Sequence, residues 1–474
     1  MLKHILKHDW RLLAADKVLW LASLLIVLCV SYAVYNGATR AERWRNDVSQ
    51  QIAKAQDGML EQKNIVEDIL SGRKSAADYP WDGLPNSVQQ VATLPPGPLA
   101  AFSVGQTDLY PYATSVSMFK RHDNVFTRYQ VESPLSLLAG RFDFAFVIVY
   151  LLPLLIIALS YNLLSSEKEN GTLVLALSQP LSLRTLITGK VLLRLALVLG
   201  LVVLLCVLGF FASGMRFDED GMLGRFSLWV MIAAAYAMFW FVLVAAVNAL
   251  GRSSETNAAV LTCLWLIFVL IIPAILNLAV TAASPVPSRM QYVSSLRAAE
   301  NAASQVGNKL LASYYSDHPD LSANGAAAVP EWARKYFLVQ REVGDKTTSI
   351  LRDYESRLEQ QQALVQKFRF LSPAIIVQEA LHEVAGASMM RQRRFVTQTR
   401  GFLASWQNTI APKLLAGARR HPAEYDALPR FGFDEEKFGE VAARVLFGVF
   451  ALLVITAALM GWSVSALRRY SPAQ

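Results

Sequence analysis

Six long apolar stretches dominate the pattern of hydrophobic and polar positions along this chain. They are rich in Leu and Val, and each is long enough for a helix, rising about 1.5 Å per residue, to cross roughly 30 Å of hydrocarbon. We therefore predict six transmembrane helices, at 18–39, 144–166, 191–215, 226–251, 256–288 and 445–467. Pro273 and Asn277 interrupt the fifth stretch, so two short re-entrant pieces are an alternative interpretation of it.

Two long polar segments, 40–141 and 289–444, separate these stretches. The first continues the leading helix as an amphipathic stripe, before a Pro-rich stretch at 94–98 turns the chain. In the second, hydrophobic residues recur every three or four positions over 343–368, which predicts a long helix or a helical hairpin. Residues 371–377 are apolar enough either for a re-entrant helix or for packing inside the polar segment. The predicted fold class is an all-α membrane protein with six transmembrane helices and two large, mainly helical extracytoplasmic segments.

Residues 1–17 form a separate amphipathic feature ahead of the first apolar stretch. Their hydrophobic side chains fall on one face of a helix, and their basic side chains fall largely elsewhere. Such a helix is expected to lie flat on the membrane surface in contact with lipid. The residues assigned to this surface are Lys3, Lys7, Trp10 and Arg11. A simple topology anchor is the alternative.

The composition agrees with a membrane protein and excludes several other classes. Hydrophobic residues make up 54% of the chain and charged residues only 17%, which leaves too few polar side chains to cover a soluble globule. The net charge of +8 raises the question of a nucleic-acid partner. None is expected, because the basic residues form no stripe with interleaved aromatics. They flank the apolar stretches instead.

This placement of Lys and Arg predicts the orientation of the chain in the membrane. Under the positive-inside rule, both termini, including the tail 468–474, and the connection 167–190 lie in the cytoplasm. Long loops cross the membrane whatever their charge, so 40–141 and 289–444 are assigned to the outside. We expect a multi-pass protein of the cell membrane, of the bacterial inner-membrane kind.

The chain has no signature for binding or hydrolysing a nucleotide. Gly189-Lys190 has Arg184 where a phosphate-cradling loop needs its first glycine, and Val191 follows where Ser or Thr is needed. We therefore predict that the chain is not an enzyme. Any ATP and Mg must then be bound by a partner.

Metal and ion-relay chemistry are equally absent from the sequence pattern. His382-Glu383 has Gly386 where a zinc protease has its second histidine, so no metal site or directly bound cofactor is predicted. The stretches contain no Asp, Glu, Lys, Arg or His once the third is counted from 195, so any pumping must draw its energy from another protein. Three cysteines inside apolar stretches are interpreted as small hydrophobes: Cys29, Cys206 and Cys263.

A charged connection between the second and third stretches carries the most specific pattern. It has, in order, an acidic pair, Gly-Thr-Leu, a leucine-rich helix, a proline and a Gly-Lys. Its candidate residues are Glu167, Lys168, Glu169, Gly171, Thr172, Leu173, Leu175, Leu177 and Pro180. This order resembles the coupling segment of type 2, exporter-type ABC transporter permeases, in the subset with large external loops. The resemblance continues upstream through 137–164. A solvated helix cap is the alternative for these residues.

The resemblance implies that 167–180 sits in a groove of a cytoplasmic ATPase subunit. The carboxylates would pair with charges there, and the leucines would supply apolar contacts. A second, identical or homologous permease and two ATPase copies would complete the assembly, which would export or extract a lipid-like or peptide substrate. The alternative function is a mechanotransmitting ABC-like complex that acts on envelope partners through the external segments, without transport.

Overall fold

The computed structural model describes the chain in a series of ranges. They are 2–15, 17–75, 77–79, 82–84, 87–105, 110–120, 142–173, 183–218, 221–285, 289–305, 309, 312–313, 316–317, 331–416 and 421–468. The described chain is mostly helical. Its elements are α1 (Leu2–Ala15), α2 (Lys17–Leu70), β1 (Gln90–Thr93), β2 (Ala113–Val116), α3 (Phe144–Glu169), α4 (Leu183–Ala212), α5 (Met222–Asn248), α6 (Ser254–Ala283), α7 (Arg289–Gln305), α8 (Glu331–Phe368), α9 (Pro373–Ala385), α10 (Met389–Ala416), α11 (Ala423–Asp426) and α12 (Phe438–Arg468).

Six of the described helices are long and apolar enough to cross a membrane: α2, α3, α4, α5, α6 and α12. Their outward faces carry large apolar side chains such as Leu21, Leu278 and Phe450, each more than 60% exposed. A soluble protein would leave such a belt uncovered, whereas lipid covers it. The prediction of a mostly helical chain with six candidate membrane spans is therefore confirmed.

Helix α5 lies at the centre of the bundle. Its aromatic side chains Trp229, Tyr236 and Trp240 are fully buried, and it packs against α3, α4, α9 and α12. The lipid-facing helices α2 and α6 bury much less of their apolar length. The core thus has an aromatic centre with leucine-rich helices around it.

Two of the spans contain a π-helical turn just before a proline. In α6 this turn covers Leu266–Ile271, and Ile272 N–H donates to the carbonyl of Ile267. In that register the carbonyl of Phe268 faces Pro273, which has no N–H to give. The hydroxyl of Ser372 donates to this carbonyl instead. The alternative of two short re-entrant pieces is wrong, because the wider turn and this hydroxyl let one helix pass through Pro273.

The same solution occurs in α3, whose π-helical turn covers Val147–Leu151 and precedes Pro153. Pro153 has no N–H to donate to the carbonyls of this turn. The buried hydroxyl of Tyr236 donates to the carbonyl of Val149 at 3.0 Å. A polar group from a neighbouring helix thus stabilises each break, as a protein in lipid requires.

A second hydrophobic core lies beyond the spans and is built by both polar segments together. It joins Trp44 and Val48 of the α2 extension to Phe337 of α8 and to Phe395 and Trp406 of α10. The strands β1 and β2 pair antiparallel on this core, so the fold is not entirely helical. The indole N–H of Trp44 donates to the carbonyl of Leu94 at 2.9 Å and joins the helix to the chain after β1. We call this unit the outer module, because it lies beyond the ends of the spans.

Helix α9 leaves the outer module and enters the core of the spans. Its residues Val377, Leu381 and Val384 are fully buried, and they belong to the same hydrophobic cluster as the spanning helices. Ser372, at its N-cap, reaches the π-helical turn in the middle of α6. Of the two alternatives for 371–377, the structure therefore favours a helix that dips between the spans over packing inside the polar segment.

Candidate functional site

The charged connection begins where α3 breaks and restarts. Regular helix stops at Ser160, turns follow, and a short helix runs from Ser165 to Glu169. Gly171 then adopts a φ of +70°, the left-handed conformation that favours glycine after a helix end. Thr172 closes the turn, since its hydroxyl donates to the carbonyl of Glu167 at 3.2 Å. The acidic Gly-Thr-Leu pattern is therefore a folded turn.

The break in α3 leaves backbone carbonyls that two basic side chains of α4 satisfy. Leu163 N–H donates to Ser160, so the carbonyl of Leu159 loses its helical donor. The guanidinium of Arg194 donates to that carbonyl, and the Lys190 ammonium donates to the carbonyl of Leu163 at 3.1 Å. Because Lys190 and Arg194 are four residues apart, they share one face of α4.

Each of these two cations also has an acidic partner. Lys190 Nζ lies 2.6 Å from Glu167 Oε1, with both side chains largely buried. Arg194 Nη2 lies 3.3 Å from Asp9 Oδ1, and Asp9 is only 1% exposed. Buried charges are costly unless they are paired and hydrogen-bonded. Each cation on this face of α4 therefore has its own carboxylate. Helix α1 is thereby attached to α4.

The second acid of the pattern connects the turn to α6. Glu169 accepts hydrogen bonds from the backbone N–H of Ser254 at 2.6 Å and from its hydroxyl at 2.8 Å. A carboxylate at the first turn of a helix satisfies a donor that has no helical partner and interacts favourably with the helix dipole. Lys168 donates to the carbonyl of Gly251 at 3.1 Å, in the connection between α5 and α6. The acidic pair therefore holds two different helices.

Asn248 and Leu173 complete the arrangement at the end of α5. The side-chain oxygen of Asn248 accepts from Leu164 N–H at 3.2 Å, within the break of α3. Leu173 is 1% exposed and packs with residues of α4, α5 and α12, among them Ile187, Ala245 and Leu467. We call the whole set of contacts, from Asp9 to Leu173, the polar junction. It attaches α1, α3, α4, α5, α6 and α12 to one turn.

The structure places the predicted site residues in three groups. Glu167, Lys168, Glu169, Gly171, Thr172 and Leu173 come together in the polar junction, whereas Leu175, Leu177 and Pro180 lie outside the described residues. Lys7, Trp10 and Arg11 are exposed on α1. Lys3 also belongs to α1, but its side chain is outside the described part.

Sequence reasoning missed the role of Asp9 and Arg194. Asp9 is the acidic residue within an otherwise basic helix, and Lys190 and Arg194 form a four-residue spacing at the edge of an apolar stretch. The lone acid and the paired basic residues could each have been interpreted as candidates for a buried ion pair. The spacing alone did not say which acid would meet which cation.

A charged cluster at the other end of the bundle joins α9, α12 and the outer module. Arg444 lies 2.9 Å from Glu383 of α9, and its guanidinium also donates to Glu436 at 2.7 Å. Arg391 lies 2.7 Å from Glu435 and donates to the carbonyl of Pro95 at 3.0 Å. The Arg444 guanidinium holds the pKa of Glu436 below its ordinary value.

The comparisons with known proteins concern the part of the chain that follows α6. Residues 289–434 match DUF3526, a domain of unknown function. The match covers helices α7 to α11, which include the inserted helix α9 and much of the outer module, and it excludes the polar junction. No curated protein matches the chain. Within the described residues, no group of three or more His, Cys, Asp or Glu side chains is placed to hold a metal.

Proposed function

We propose that this chain is the permease subunit of an ATP-driven ABC transporter of the exporter type. The observation that carries the proposal is the polar junction. Residues 167–173 make polar contacts to α4, to α6 and to the connection between α5 and α6, and Leu173 packs with apolar residues of α4, α5 and α12. A force applied to this turn reaches α4 and α6 together. A turn that served only as a solvated cap would need no such connections.

The geometry assigns different roles to the residues of the turn. Glu167 and Leu173 face inward and anchor the turn, so in this proposal they do not contact the ATPase. Asn170, Gly171 and Thr172 are exposed at its tip and are available to a partner. The partner ATPase, present in two copies, binds ATP and Mg and presses on this tip. A second permease copy or homologue completes the pathway.

In this proposal both termini and the polar junction are cytoplasmic, and the outer module lies on the opposite face of a bacterial inner membrane. Closure of the ATPases moves the junction, and the spans shift between two arrangements. The substrate is lipid-like or peptide and moves outward or is extracted from the membrane.

The second candidate function is mechanical transmission to an envelope partner without transport. Helix α2 favours it, because this single helix of 54 residues, about 80 Å at about 1.5 Å per residue, runs unbroken from α1 into the outer module. It shares contacts with α3, α4 and β1. Motion at one end of such a helix is carried to the other end.

The test compares Asn170→Trp with Asn64→Trp, which makes the same change at an exposed position of the outer module. Tagged chains are purified from native membranes, and the ABC ATPase that accompanies them is measured by its abundance and its ATP hydrolysis. We expect Asn170→Trp to lose the ATPase or to uncouple its hydrolysis, because a large ring blocks contact at the tip. Asn64→Trp should behave as the wild type, and both variants should unfold at the wild-type temperature.

Retention of the ATPase and of coupled hydrolysis by Asn170→Trp would refute the coupling role of the turn. Reconstitution of the wild-type complex in liposomes then separates the two functions. ATP-dependent movement of lipid or peptide supports transport. ATP-dependent movement of the outer module without flux supports mechanical transmission.

A further inference from the structure

The outer module contains a cavity of about 820 Å³ between α2 and the two strands. This volume falls within the range of about 300–1,000 Å³ typical of ligand sites. One wall is a single face of α2, on which the lining residues recur every three or four positions from Gln51 to Gln62. The opposite wall is formed by β1 and β2 with the residues beside them. The cavity belongs neither to the polar junction nor to the proposed transport pathway.

The residues in the middle of the helical wall have small side chains or none. Ala55 and Gly58 lie there, and a Cβ added at Gly58 would meet nothing within 4 Å. Glycine inside a helix costs about 1 kcal/mol relative to alanine. Packing within the chain does not require this glycine, since the space beside it is empty. The missing side chain therefore deepens the cavity.

The strand wall offers backbone groups in the pattern of an open sheet edge. Leu94 N–H donates to Tyr112, and the register pairs Ala92 with Thr114 and Val91 with Ser115. Hydrogen-bonded and non-hydrogen-bonded pairs alternate in an antiparallel sheet, so the N–H and C=O of Val91 point away from β2. Val91 lines the cavity, and it has no hydrogen-bond partner among the described residues.

The charged and amide side chains of the cavity fit a peptide better than a lipid or a sugar. Lys54 and Glu61 lie on the helical wall without an ion pair to any described residue, and Gln51 and Gln89 add amide groups. No aromatic side chain is among the described lining residues, although stacked aromatics and apolar surfaces are what sugars and lipids use. Amides and a strand edge are complementary to a polypeptide backbone.

The spacing of the two charged side chains on the helical wall defines the peptide further. Lys54 and Glu61 are seven residues apart on a helix, which is about 10 Å. An extended chain covers about 7 Å in two residues and about 13 Å in four, and only such even spacings keep two side chains on the same face of a strand. We propose that this cavity binds an extended internal segment of another polypeptide as an added strand on β1, with an acidic side chain opposite Lys54 and a basic one, two or four residues away on the same face of the strand, opposite Glu61.

The experiment selects a phage-displayed library of random heptapeptides on the full-length chain in detergent, with Gly58→Trp as the counter-selection. Tryptophan at this open position fills the cavity without a clash at Cβ. The matched control is Gly344→Trp, at a helical glycine of α8 that also has nothing within 4 Å of an added Cβ. We expect enriched peptides to carry an acid and a base two or four residues apart, on one face of the strand, and to lack proline between them.

Selected peptides are then synthesised with capped ends and a fluorescein label, and their binding is measured by anisotropy. Gly58→Trp should abolish binding, Gly344→Trp should preserve it, and Lys54→Glu should weaken it by about tenfold. The proposal is overturned if no peptide is retained better by the wild type than by Gly58→Trp. A requirement for free peptide termini, or equal binding after proline replaces the central residues, would also overturn it.

Discussion

The polar junction and the cavity of the outer module are both rich in charged and amide side chains. The two regions differ in whether these side chains have partners within the chain. In the junction, Lys190 and Arg194 each have a carboxylate and a carbonyl partner within the chain. In the cavity, Lys54 and Glu61 have no ion-pair partner among the described residues. The two regions lie at opposite ends of α2, since α1 joins the junction and residues 51–62 line the cavity.

This difference separates groups that hold the fold from groups that are available to a ligand. A buried polar group without a partner is costly, so groups at the junction are satisfied internally and resist separation. Water satisfies the groups in an open cavity until a ligand replaces it. In the two proposals, charge at the junction therefore serves to transmit force, and charge in the cavity serves to bind a peptide.

The largest effect is expected from Arg194→Leu, which leaves Asp9 buried without its partner. Breaking a buried pair in this way costs about 3–5 kcal/mol of unfolding free energy. The matched control is Arg216→Leu, whose ion pair with Asp218 is solvent-exposed and contributes about 0–1 kcal/mol. Unfolding in detergent, followed by tryptophan fluorescence, measures both. Equal midpoints for the two variants would show that the junction is no more tightly held than the surface.

An intermediate effect is expected from Glu167→Gln, because the buried Lys190 ammonium then loses its carboxylate and keeps only neutral acceptors, the carbonyl of Leu163 and the new amide oxygen. The loss is expected to be about 1–3 kcal/mol, since hydrogen bonds between charged partners are stronger than those to neutral groups. Glu169→Gln, two residues away and exposed, should cost less than about 1 kcal/mol, since its amide oxygen still accepts from Ser254. The same unfolding assay compares the two. A larger loss at Glu169 would reverse the assignment of inner and outer acids.

The smallest effect is expected from Glu436→Gln in the charged cluster, and it depends on pH. The Arg444 guanidinium lowers the pKa of Glu436 from its ordinary value of 4.5. A lowered pKa means that the carboxylate stabilises the fold above pH 4.5 and that this contribution is lost as the pH falls through the folded value. Wild type should therefore lose more stability than Glu436→Gln as the pH falls from roughly 5 to roughly 3. Parallel acid curves for the two proteins would contradict this.

Several features of the fold were predictable because they depend on local periodicity. The six apolar stretches became six long helices, and the stepwise pattern over 343–368 lies within α8. The turn at Gly171 also follows from local chemistry, since glycine is favoured after a helix end.

Other features depended on residues far apart in the chain. Helix α6 continues through Pro273 because the hydroxyl of Ser372 donates to the carbonyl of Phe268. In α3, the hydroxyl of Tyr236 donates to the carbonyl of Val149 near Pro153. Sequence patterns cannot report such partners, because the donor lies in another helix. Likewise, hydrophobicity alone allowed 371–377 to lie either between the spans or inside the polar segment. Contact with the spans showed which of the two is correct.

The sequence by itself determined which stretches are apolar helices, where the turn of the charged connection lies, and that the Gly-x-x-x-x-Gly-Lys-Ser/Thr pattern is missing. These properties are set by composition and by spacing over a few residues. Only the tertiary structure decided that both polar segments share one core, that Asp9 meets Arg194, and that Glu167 faces inward while Asn170 is exposed. The physical reason is that a buried charge or an unpaired carbonyl must find a partner, and the chain supplies that partner from whichever helix packing brings near.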